Sequence, residues 1–129
     1  MDAIGNMLVA LLNAQRVGKS RVAVPYSRFK EQLAALLQEK GLIATTRVQE
    51  GVRPQLILTL VYEGEPRQPR IHGVRRISTP GRRLYVGQAG VPYPVQSSGA
   101  ILISTSRGLM DDAQARQAGV GGELVCEIW

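Results

Sequence analysis

The sequence predicts an α+β fold: an N-terminal helix–strand–helix–strand–strand unit, then a mainly β half with one short helix. Three observations carry this expectation. Apolar residues recur at helical spacing twice in the first half, and strand-like segments dominate the second. Between the two patterns lies EGEPRQPR, residues 63–70, with two prolines and no core residue, which marks a connector. The expected division is therefore an N-terminal α+β domain, 1–66, and a C-terminal mainly β domain, 67–129.

Taken in order, Ile4, Met7, Leu8, Leu11 and Leu12 give a first helix over 3–16, with Asp2 as its cap. RVAVP is a short strand stopped by Pro25, which cannot donate to a ladder. Ser27 stands at an N-cap position before Phe29, Leu33, Leu36 and Leu37, and Gly41 ends that second helix. Strands follow over 43–48 and 55–62, turned by Gly51 and Pro54. The second is apolar on both faces, as an interior strand is. Beyond the connector, RIHGVRRIS and RRLYV are strand-like around a Thr79-Pro80-Gly81 turn. Residues 100–103 form a buried strand that runs into the polar SerThrSerArgGly. Asp111 caps a short helix that Gly119 ends, and ELVCEIW closes the chain as a strand. Strict alternation there puts Leu124, Cys126 and Ile128 on one face and Val125, Glu127 and Trp129 on the other.

Charge is the first functional clue. Sixteen Lys and Arg face ten Asp and Glu, a formal net charge of +6 within 129 residues, and thirteen of the sixteen are Arg. Arginine presents a flat fork of donors suited to phosphate and to stacking on bases. From Pro66 to Met110 there is no acidic residue, while Arg67, Arg70, Arg75, Arg76, Arg82, Arg83 and Arg107 all fall there. A long single-sign segment points to an anionic partner, nucleic acid first.

Other classes fare worse. Cys126 is the only cysteine, so no internal disulfide forms, and its apolar surroundings make it a core residue. Apolar runs are too short to cross a bilayer, and the N-terminus lacks the basic start of a signal peptide, which points to the cytoplasm or the inside of an organelle. His72 is the sole histidine, and Asp111 with Asp112 is better read as helix-capping charge than as an acid–base pair. Neither a zinc-ligand pattern nor a phosphate-binding Gly-Lys-Ser loop is present, so we expect no metal, no cofactor, no small-molecule substrate and no enzymatic activity.

Three elements make a coherent RNA surface. Ser104, Thr105, Ser106, Arg107 and Gly108 emerge from a buried strand with hydroxyls that fit base edges, ribose and phosphate. RRISTPGRRLY supplies Arg82 and Arg83 around a turn, with Tyr85 as a stacking face. In GVGGE, Gly121 and Gly122 allow close backbone approach. Glu123 either accepts from base amino or ribose groups, orients an arginine, or begins a strand.

In RRISTPGRRLYVG, ILISTSRGLMDDAQARQAGVGGELVCEIW, DAIGNML with NAQ, and VPYSRFKE, the chain resembles bacterial ribosomal protein S-eight, nearly end to end. That resemblance implies two domains, α+β then mainly β. It implies binding to the central domain of small-subunit ribosomal RNA early in assembly, within the ribosome of the cytoplasm or of an organelle. Contacts with neighbouring small-subunit proteins, notably protein five, are implied too. By position, Ser104 to Arg107 would be the main RNA loop, Tyr85 would lie beside it, and Gly121, Gly122 and Glu123 would complete the surface. Arg28 and Lys30 would touch RNA from the other domain. The chain departs from the family where Ala10 and Leu12 replace first-helix arginines, where GQAGVPYPVQSSG carries no base, and where Asp111 replaces a threonine. Two rival readings remain: a basic protein-interaction module that docks an acidic partner, and a small enzyme using a serine of the SerThrSer loop as nucleophile.

Overall fold

A helical stripe and a three-stranded sheet build the first of two units in the computed structural model, which describes residues 2–96 and 98–129. This unit, Ala3–Ile71, runs α1 (Ala3–Arg16), β1 (Arg21–Pro25), α2 (Arg28–Glu39), β2 (Ile43–Gln49) and β3 (Gln55–Leu60). Met7, Leu8, Leu11 and Ala14 are the buried stripe of α1. At the start of α2, Ser27 Oγ accepts from Lys30 N at 3.1 Å. At its end, Gly41 N donates to Gln38 O and Leu42 N to Leu37 O, which satisfies the carbonyls that a terminus leaves open. The antiparallel sheet has the order β1-β3-β2. β3 is the central strand, as expected, but only one of its faces is covered. Leu56 and Leu58 are fully buried, whereas Gln55 is exposed and Ile57 and Thr59 are half-buried.

Residues 63–70 are not an open connector. β4 (Tyr62–Glu63) and β5 (Gln68–Pro69) pair as a small hairpin within this unit. The prolines prevent a longer ladder, and side chains hold the hairpin instead. Arg67 lies 4.1 Å over the Tyr62 ring, the Tyr62 hydroxyl donates to Lys19 O, and Arg70 Nε donates to Gly41 O at 3.3 Å. The division between the units falls after Ile71.

The second unit comprises His72–Trp129 with Asp2. It contains β6 (Val74–Arg76), β7 (Tyr85–Val86), a 3-10 turn at Gln88–Gly90, β8 (Ala100–Thr105), β9 (Gly108–Asp111), α3 (Asp112–Ala118) and β10 (Gly122–Ile128). β10 is the hub: β8 and then β9 lie along one side, while β6 and β7 share the other. Val91, Ile101, Ile103, Ala115 and Leu124 form the core, with Val86 and Met110 packed against it. Asp111 and Gln114 close a reciprocal capping box on α3, with side-chain bonds of 2.7 and 2.9 Å. Asp112 is buried; it accepts from Ile101 N at 3.0 Å and pairs with Arg116, which ties α3 to β8.

The alternation expected for the last strand is interrupted. Leu124 faces Ile103 but Cys126 faces Leu102, so Val125 is an extra residue, a β-bulge. Leu124 and Cys126 consequently lie on opposite faces, because one inserted residue reverses every side chain after it. Burial pushes the Cys126 thiol up to about 12, which leaves it an inert core residue. Glu127 is fully buried and bonded to Arg75 at 2.7 Å and to Gln96 N at 3.1 Å. Burial raises its carboxyl, but Arg75 and the backbone N–H groups of Gln96 and Val95 outweigh it and hold the group below its ordinary value.

Two outcomes follow from these contacts. Asp111→Ala removes the cap and should cost about 1 kcal/mol, seen as a lower urea midpoint at unchanged slope, whereas Asp111→Thr should keep most of it. A carboxyl held low stabilises the fold fully above its unfolded value and loses that contribution as pH falls through the lower folded one. Glu127→Gln should therefore flatten the acid limb of the stability–pH profile below about pH 4.3. An acid limb parallel to that of the unsubstituted protein would show that Glu127 contributes nothing there.

Candidate nucleic-acid interface

β8 and β9 meet in a two-residue hairpin with Ser106 and Arg107 at its exposed tip. Gly108 follows with φ +111°, a left-handed backbone that a side chain would strain. The Thr105 hydroxyl donates to Gly108 O at 2.7 Å and accepts from Arg107 N at 3.1 Å. Thr105 thus spends its hydrogen bonds on building the turn, and Ser106 and Arg107 are what the turn presents.

Cross-strand register decides which neighbours share that surface. Tyr85 pairs with Glu123, Glu123 with Ser104, and Ser104 with Leu109, so these four project to one face. The next row, Val86, Gly122, Thr105 and Gly108, belongs to the other face, where Val86 meets the core. Tyr85 is 69% exposed, which leaves its ring open to a stacking partner. Glu123 is the second residue of β10 and holds an arginine, Arg83 Nη1, at 3.0 Å. Its hydrogen bond, then its charge, keep Arg83 more firmly protonated than usual.

The glycines are required by close approach. A Cβ on Gly122 would lie 2.1 Å from Ser104 O, and one on Gly121 would lie 2.2 Å from Val86 O. Both obstacles are backbone atoms, so the strand could accept a side chain only by moving away from its neighbours.

Sequence reasoning missed the residue that shapes the arginine turn. Ser78 is 1% exposed, and its hydroxyl accepts from Leu84 N at 2.9 Å and donates to Leu84 O at 3.4 Å. Leu84 O in turn accepts from Leu124 N at 2.9 Å. This clamp closes the loop that carries Arg82 and Arg83 onto β10. A serine ahead of Thr-Pro-Gly was the visible signal, but its burial was not.

The stretch without acids is not acid-free in space. Arg70 meets Glu63, Arg75 meets Glu127, Arg76 meets Asp2, and Arg83 meets Glu123, while Arg67 lies on Tyr62. Only Arg82 and Arg107 of that series have no side-chain partner among the described residues. In the first unit, Arg28 is exposed, but Lys30 is 7% exposed. Lys30 shares a helical face with Leu33, Ala34 and Leu37, so its stem is drawn inward and little of it can meet a phosphate.

Among the described residues no group of three or more His, Cys, Asp or Glu is placed to hold a metal ion, and no helix is long and apolar enough to cross a membrane. The family model described as Ribosomal protein S8 matches residues 2–129. A small ribosomal subunit protein uS8 from Sorangium cellulosum (strain So ce56) is 43% identical over 128 residues, covering 99% of this chain and 98% of the relative. The same-named protein of Synechococcus sp. (strain CC9311) is 42% identical over 129 residues, covering 99% and 97%. That of Thermus thermophilus is 43% identical over 135 residues, covering 99% and 98%. A family match across the described length, with relatives this similar end to end, shows that the chain belongs to the ribosomal protein S8 family.

Proposed function

We propose that this protein is a structural component of the small ribosomal subunit, not an enzyme, and that it binds the central domain of small-subunit ribosomal RNA and helps that domain assemble. Its family membership and its uS8 relatives support the ribosomal part of this reading. The observation that supports the RNA part is the row Tyr85, Glu123 and Ser104, set beside the Ser106–Arg107 tip.

In this reading the parts divide the work. Arg107 and Arg82 neutralise phosphates, and Arg83 is aimed by Glu123. Ser104 and Ser106 offer hydroxyls to base edges and ribose, and the Tyr85 ring stacks on an unpaired base. Gly121, Gly122 and Gly108 keep the backbone low enough for the strands to lie together. Thr105 acts through the turn. Arg28 contributes a peripheral phosphate contact from the first unit, and the SerThrSer loop belongs to the second. Neighbouring small-subunit proteins, notably protein five, are the proposed protein partners.

A salt-titrated binding assay against a central-domain stem and a scrambled stem of equal length tests this. Binding should weaken with salt at a log–log slope of roughly 0.7–0.9 per neutralised phosphate, with the gap between the two RNAs surviving. Equal binding to both, lost together, would leave only a basic surface and favour an acidic protein partner. Within the same assay, Ser106→Ala should narrow the gap between cognate and scrambled RNA while leaving scrambled binding nearly unchanged. Equal losses on both RNAs would remove Ser106 from the reading.

A further inference from the structure

The first unit has a second surface that the loop-centred reading does not use. One face of its sheet is buried, through Val24 on β1 and Leu56, Leu58 and Leu60 on β3. The opposite face carries every other residue: Arg21, Ala23 and Pro25 on β1, Gln55, Ile57 and Thr59 on β3, and Thr45, Arg47 and Gln49 on β2. Seven of these nine are exposed, and only Ile57 and Thr59, on the central strand, are partly covered. A shallow depression is lined by five of these residues, Arg21, Ala23, Arg47, Gln49 and Ile57, together with Val22 of β1.

The chemistry of the face is one-sided. It holds two arginines, two glutamines with amide donors, and two threonines with hydroxyls, but no carboxylate; Glu50 lies beyond it, past the end of β2. Elsewhere in the chain arginines are repeatedly matched with acids, as at Glu63, Asp2, Glu127 and Glu123. Here neither Arg21 nor Arg47 has a side-chain partner among the described residues. They stand on the two outer strands two residues out of register, Arg21 level with Thr59 and Arg47 level with Ile57 and Ala23. The two positions therefore lie on a diagonal about 12 Å apart at ordinary strand spacing.

We infer that this sheet face is a second RNA contact, which takes the sugar–phosphate backbone of a helix rather than its bases. Arginine forks on both sides suit phosphates, and the amides and hydroxyls suit phosphate oxygens and ribose 2′-hydroxyls. A sheet face with a low apolar centre can approach the wide, shallow minor groove of A-form RNA. The face lacks an exposed aromatic ring, so it offers no platform for splayed bases, and its contribution is affinity without sequence preference. This inference rests on the proposed rRNA binding and adds a surface to it.

The test uses the full chain and a transcript of the whole central domain of small-subunit rRNA. Arg21→Gln with Arg47→Gln should lower affinity on the order of tenfold at moderate salt and reduce the salt slope by about 1.5, while the preference over a scrambled transcript stays unchanged. Both positions are exposed, and an unchanged thermal midpoint certifies the fold. Ser106→Ala in parallel should change the preference and not the slope. Wild-type binding with preference, combined with an unchanged slope in the double variant, overturns the sheet-face inference alone. Should the same variant instead lose an acidic protein partner, the face belongs to protein. No preferential binding by the wild-type chain overturns the rRNA reading and the sheet-face inference with it.

Discussion

The second unit depends on one strand being allowed closer to its neighbours than side chains permit. β10 lies between β8 on one side and β6 with β7 on the other, and its start is flanked at once by Tyr85–Val86 and Ser104–Thr105. Backbone carbonyls of Val86 and Ser104 occupy the space that Cβ atoms of Gly121 and Gly122 would need. Because the strand can close up there, the arginine turn and the SerThrSer hairpin are brought side by side. Separated by even one side chain, Tyr85 and Ser104 would no longer flank the same carboxylate.

Glycine brings these elements together, and buried polar groups keep them in place. Ser78 stitches the arginine turn to Leu84, and Leu84 is bonded to Leu124 of β10. Asp112 satisfies Ile101 N on β8 and holds Arg116, which also donates to Pro92 O at 3.0 Å and lies 3.8 Å over the Tyr93 ring. Glu127 ties β10 to Arg75 and to the backbone of Gln96. Each of these groups is paired, which is the condition under which a buried polar side chain rigidifies a fold rather than weakening it. Fixed loops matter here because hydroxyls and a ring can discriminate between partners only from set positions.

Electrostatics are arranged with similar economy. Most arginines of the acid-free stretch are matched by a carboxylate from elsewhere in the chain, so the charge offered to a partner is local, not general. Arg82 and Arg107 project from two turns beside the hydroxyl row, while Arg21 and Arg47 project from the sheet of the first unit. Selective pairing of this kind lowers indiscriminate attraction to anions and confines the unpaired guanidinium groups to a few positions.

Much was legible from residue order, and for local reasons. Helical spacing, the Ser27 and Asp111 caps and the apolar run of β3 depend on near neighbours, so they predicted the α+β elements found. The family resemblance, carried by the SerThrSer and GlyValGlyGlyGlu segments, agrees with the family match. What residue order could not supply was pairing across distance. The bulge at Val125 reverses the faces of the last strand, and residues 63–70 form an anchored hairpin. Lys30 turns inward because its place on α2 falls on the buried stripe, although its type suggests a surface. Carboxylates outside the basic stretch neutralise much of it once the chain folds. Sequence by itself determined the elements and the family, because both reside in short-range pattern. Only the tertiary structure decided which arginines remain unpaired and which hydroxyls face outward, because both depend on strand register and on residues far apart in the chain.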